Sequence, residues 1–209
     1  MYKLRKYLDG IYLVEFEVSY TLAMTFLRYQ EFYECVSGDI RGNQFTILQF
    51  IDWYVRDNDY CSFAYHLDWS GFNIPANIIS EVRDLGILDL NHYDAIMLDI
   101  YNEALELNGN PNFYIIGTTE GDSFTLAHEV AHGLYYINEE YRKEMNDMCD
   151  MFTDQSKSLL AEYLTETGYP NKVHIDEIQA YLSTGSLHLN NEISGKASKF
   201  KQILQKYLI

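Results

Sequence analysis

The run from Ser123 to Asn138, SFTLAHEVAHGLYYIN, leaves this chain few structural choices. Phe124, Ala127, Ala131, Leu134 and Tyr135 recur at helical spacing, so the run reads as an amphipathic helix with Asp122 and Ser123 as its caps. Residues four apart share a helix face, and His128 and His132 therefore aim two imidazoles at one point with Glu129 beside them. That spacing suits a divalent metal with a base at its edge. Imidazole nitrogen binds zinc at roughly 2.0–2.1 Å, and a catalytic zinc takes three protein ligands so that the fourth position holds water. Glu129 is placed to accept that water's proton. Small, apolar Val130 and Ala131 between the histidines fit a buried helix. Two histidines and a glutamate packed in a core without a metal would each need several hydrogen-bond partners, which makes the metal reading the preferred one.

Two imidazoles need a third ligand, and the downstream candidates are Glu162, His174, Asp176 and Glu177. Glu177 is favoured because it opens an apolar helix with Ile178, Ala180, Tyr181 and Leu182, and Ala180 permits close packing against the metal helix. Glu162, in the apolar context LLAEYL, is its rival. Asp176 can cap its helix. His174 lies one turn from Glu177 and can support the ligands or donate a hydrogen bond to a reacting oxygen.

The rest of the chain reads mostly as helix. Residues 11–34 follow the helical period and are expected as one long helix, with a turn at Ser37–Asn43 and a second helix over Thr46–Arg56. Residues 58–75 are aromatic and without a clear period, hence irregular with one short strand; His66 there is expected to be a packed or surface residue. Pro75 starts a helix to about Leu85, and Asn91 caps another that ends near Asn108. Phe113–Ile116, between Pro111 and Gly117, is the clearest strand, and its position before the metal helix suggests an open edge along which an extended peptide could pair. Helices are expected from Asn138 to Phe152, over Gln155–Thr165, over Val173–Ser183 and over Ser194–Leu208. Met145, Met148 and Met151 at three-residue intervals read as a core stripe.

Charge narrows the partners. Residues 1–6 and 196–209 hold seven basic residues and no acids, leaving eight basic against 31 acidic residues, a net −23, on the remainder. Such a body repels phosphate backbones and anionic lipid, so neither nucleic acid nor membrane is expected as a partner, whereas a neutral or basic polypeptide is tolerated. Cys35, Cys61 and Cys149 form no CxxC pair and suggest a reducing compartment; with no signal-peptide core and no membrane-length apolar run, a cytoplasmic location is expected.

His128-Glu129-Val130-Ala131-His132, followed by Asp176-Glu177-Ile178-Gln179-Ala180-Tyr181, resembles the gluzincin group of zincin metallopeptidases, and the long spacer is closer to the lethal-factor type of catalytic domain than to the thermolysin type. The resemblance covers about residues 112–185. It implies zinc held by His128, His132 and Glu177, with Glu129 as base and acid and a tyrosine, Tyr169 or Tyr181, near the oxyanion. The chain departs from the metzincin pattern, since Asn138 stands where that group's third histidine would fall, and it lacks the aspzincin signature around an aspartate. The expected fold is α+β and mainly helical, zincin-like, with a small sheet whose edge strand precedes the metal-binding helix. One domain, residues 1–209, is expected, with 1–110 as a helical N-terminal part and 111–209 as the metal-site part. The expected activity is zinc-dependent hydrolysis of peptide bonds. The alternatives are a zincin-like domain that binds a protein or peptide without turnover, and a metal-free helical protein.

Overall fold

The computed structural model describes residues 1–58, 61–185 and 187–208. The protein is α+β and mainly helical, and the chain divides into two units, residues 1–122 and 123–209.

The N-terminal unit begins with a hairpin. β1 (Tyr2–Leu8) and β2 (Ile11–Phe16) pair antiparallel across Asp9 and Gly10, and Gly10 takes φ 70°, the left-handed conformation a two-residue hairpin turn requires. α1 (Ser19–Glu34) follows, so residues 11–34 are a strand and a helix instead of one helix. Ile11, Tyr12, Leu13 and Val14 are all fully buried, and a strand covered on both faces carries a continuous apolar run that periodicity alone does not separate from helix. α2 (Ile47–Asp57) starts at a capping box in which Thr46 and Gln49 each accept the other's backbone N–H. The 58–75 segment is more regular than its composition suggests. It holds the one-turn α3 (Tyr65–Asp68) and β3 (Gly71–Pro75), while Asp59 and Tyr60 lie outside the described residues. Extended Pro75 leads into α4 (Ala76–Leu85), and Asn91 caps α5 (His92–Asn108) through a second capping box with Asp94.

β4 (Tyr114–Thr119) completes a mixed sheet of order β1-β2-β4-β3, parallel to β2 and antiparallel to β3. It is therefore an interior strand. The expectation that the strand before the metal helix is an open edge is corrected: β2 occupies one side of β4 and β3 the other, and among the described residues the edges are β1 and β3. α1 lies on this sheet at a distance that Gly117 of β4 sets. A Cβ at that position would stand 2.4 Å from Phe26 Cε2 and 2.8 Å from Leu22 Cδ1. Phe26, Leu22, Ile74, Met97 and Ile115 form the centre of this unit's core. All the strands among the described residues belong to residues 1–122, so the N-terminal part is not simply helical.

Among its described residues the C-terminal unit is helical: α6 (Ser123–Ile137), α7 (Glu139–Asp150), α8 (Asp154–Glu166), α9 (His174–Thr184) and α10 (Asn191–Tyr207). Asn138 accepts from Tyr141 N and caps α7 as its sequence suggests. α9 is the hub, packed against each of the other four. Small Ala131 of α6 and Ala180 of α9 are fully buried, as close helix packing requires. The basic α10 seats Ile193, Phe200 and Leu204 against its neighbours and joins α7 through Lys206 and Glu144, 2.5 Å apart; Ile209 lies outside the described residues. Met145 and Met148 are core residues, but Met151 and Phe124, both expected to pack inward, are exposed at helix ends. Among the described residues no helix is long and apolar enough to cross a membrane.

Candidate metal centre

α6 carries His128 and His132 four residues apart, and their Nε2 atoms lie 3.2 Å from each other. α9 brings Glu177 to the same point: Oε2 is 3.8 Å from His128 Nε2, and Oε1 is 3.7 Å from His132 Nε2. Two donors at about 2.0–2.1 Å from a tetrahedral ion are about 3.3–3.4 Å apart, so this triangle nearly matches the requirement of a bound zinc. Among the described residues these three form the one cluster of histidine, cysteine or carboxylate side chains whose donor atoms all fall within 4.8 Å of one another. His132 and Glu177 are buried and His128 partly so. Glu162, the rival third ligand, is exposed on α8 and outside the cluster.

The donor set has the marks of an ion-binding site. Glu177 Oε2 is buried and has no hydrogen-bond partner, a costly condition for a carboxylate oxygen unless a cation offsets it. His132 is enclosed by acids. Burial opposes its imidazolium, but the charges of Asp176 and Glu177, the hydrogen bond to Asp176 and the charge of Glu129 together hold its pKa well above the ordinary histidine value. The pocket favours a cation at this point, be it a proton or a metal.

Asp176, which the sequence offers as ligand or cap, does neither of these things to the ion-binding triangle. Its Oδ1 lies 2.9 Å from His132 Nδ1, behind the ring, where it orients the imidazole and leaves Nε2 facing His128 and Glu177. His174 also stands back: its Nε2 donates to the Tyr169 carbonyl at 3.0 Å and anchors the segment that carries Tyr169. The two tyrosines come together, with hydroxyls 3.2 Å apart and the Tyr181 ring 4.8 Å from that of His128. Burial is the main cause that raises both phenols, and the charge of Glu177 adds to it, so each remains a neutral O–H donor at physiological pH. Glu129 is buried on α6, and its charge acts on His132, Tyr169 and Tyr181, which sets it on the same side as the cluster. His66 takes no part; it belongs to the N-terminal unit, with its ring against Tyr20.

The sequence reading missed Gln179 and Tyr141, both fully buried behind Asp176. The three-residue step from Asp176 to Gln179 on one helix was a signal for the first. Nothing in the sequence pointed to the second. Comparison of the chain with protein-family models, with curated proteins and with solved structures found no match.

Proposed function

We propose that the protein is a zinc-dependent peptidase of the gluzincin type, with His128, His132 and Glu177 as metal ligands and a zincin-like arrangement around them. The observation that carries the reading is the convergence of these three side chains from two helices, with Glu129 next to His128 on the same helix. Zinc held there would acidify a bound water and polarise the carbonyl of a peptide bond. Glu129 receives the proton on its carboxylate and returns it to the leaving amine nitrogen. Tyr181 and Tyr169, as neutral donors beside His128, stabilise negative charge developing on the carbonyl oxygen. Asp176 holds the His132 ring in place throughout. The acidic surface suits a neutral or basic polypeptide as substrate and disfavours nucleic acid.

Elemental analysis and a mixed-peptide cleavage assay on tag-free protein test this. Near-stoichiometric zinc is expected in the wild type, in Glu129→Gln and in Glu162→Ala, and little in His132→Ala or Glu177→Ala. Glu129→Gln should lose at least about a hundredfold in cleavage, the scale of general-base removal. Zinc in the wild type with no cleavage of any peptide would replace the peptidase by a domain that binds its partner without turnover. Absence of zinc after supplementation would overturn both.

A further inference from the structure

We infer that Gln179 and Tyr141 are positioning residues for the metal centre, a buried relay that orients Asp176 and thereby decides which nitrogen of His132 faces the cation. The inference rests on the metal reading above. Tyr141 Oη on α7 donates to Gln179 Oε1 on α9 at 2.7 Å; Gln179 Nε2 donates to Asp176 Oδ1 at 2.9 Å; the same Oδ1 lies 2.9 Å from His132 Nδ1. Direction follows from chemistry. A carboxylate only accepts, so the amide turns its NH2 towards Asp176 and its oxygen towards the phenol, and the neutral imidazole carries its proton on Nδ1. The ring's lone pair is then on Nε2, the atom beside His128 Nε2 and Glu177.

The fully buried pair makes this arrangement hard to reverse. A Gln179 amide turned over would set its oxygen against the Asp176 carboxylate, two acceptors with no proton between them, even though the Tyr141 hydroxyl could accept from the displaced NH2. Asp176 needs such support because its side chain is 29% exposed and has water as a competing partner. The relay therefore extends the metal centre from α6 and α9 into α7, a helix that supplies no ligand.

The test is zinc affinity, measured by competition with a chromophoric chelator, together with the visible spectrum of the cobalt-substituted protein. Both are read on the full-length wild type, Tyr141→Phe, Gln179→Met, Asp176→Ala, and each of the first two variants combined with Asp176→Ala. Gln179→Met should weaken zinc binding about 10- to 100-fold and Tyr141→Phe by less, with altered cobalt bands. Neither should weaken it further once Asp176 is gone, because the relay acts only through that carboxylate. Equal losses with and without Asp176 would mean that the two residues merely pack α7 on α9, and would overturn the inference. So would wild-type affinity in the variants. Tyr141→Phe, which keeps the ring, decides the matter should Gln179→Met not fold. A wild type that binds no zinc overturns the metal reading and the relay with it; a wild type that binds zinc alongside unaffected variants overturns the relay alone.

Discussion

Arg28 in the N-terminal unit and His132 in the C-terminal unit are both buried beside two carboxylates, yet their surroundings are completed differently. Arg28 donates through Nε and Nη2 to Asp94 at 2.8 and 3.1 Å, through Nη2 to Asp89 at 2.7 Å, and through Nη1 to the Phe45 carbonyl at 2.6 Å. Its acids are occupied in turn: Asp94 Oδ2 accepts from Asn91 N, and Asp89 Oδ2 accepts from Ile47 N. Every group there is satisfied, and the cluster ties the starts of α2 and α5 to α1. Around His132 the charges of Asp176, Glu177 and Glu129 converge on one imidazole, and Glu177 Oε2 is left without a hydrogen-bond partner. The difference lies in how far donors and acceptors are matched. A matched cluster fastens elements together; a mismatched one is left with an acceptor that a cation would satisfy.

That contrast can be broken by experiment. Arg28→Ala should remove about 3–5 kcal/mol from unfolding free energy, the cost of stranding a buried Asp94, as read from denaturant midpoints. A loss below about 1 kcal/mol would show that the cluster does not fasten the unit. For the open cluster, zinc at a hundredfold over its Kd should add about 2.7 kcal/mol to wild-type stability and nothing to His132→Ala; a similar gain in that variant would place the ion elsewhere.

Glu31 offers an intermediate case, a carboxylate with neutral donors only. Tyr65 Oη donates to it at 2.7 Å, yet desolvation outweighs the hydrogen bonds from Tyr65 and Cys35 and pushes its pKa up to about 7. In the unfolded chain the group titrates near 4.5. Between these values the folded state holds the proton that the unfolded state has released, so Glu31's contribution is fully present below about pH 4.5 and declines as pH rises to about 7. Chemical denaturation across that range should show the decline in the wild type and a smaller one in Glu31→Gln. An unchanged slope would assign the pH dependence to other groups.

Helix starts and the paired histidines of the candidate site were readable because their signals are local. Thr46, Asn91 and Asn138 each cap the helix their sequence announces, and the four-residue step from His128 to His132 survives any tertiary context that keeps α6 a helix. The hairpin was missed although Asp9-Gly10 is a turn signal, because the double-sided burial of β2 gave Ile11–Phe16 a helix-like appearance. The interior place of β4 was not readable, because strand order depends on long-range pairing that no local pattern records. Likewise Glu177 was separated from Glu162 by packing, and Tyr141 joined the site through a helix contact 38 residues away in sequence from Gln179.

The parallel pairing of β2 with β4 also orders the birth of the protein. β2 is finished by residue 16, but the strand that covers its second edge spans residues 114–119, so roughly 100 residues must be synthesised before the sheet can close. During that interval the β1–β2 hairpin presents an apolar, unpaired edge to the crowded surroundings of the ribosome. The short charged stretch of β1, with Lys3, Arg5 and Lys6, protects only the opposite side of that hairpin. Of the later elements, α1 is the first that contacts β2.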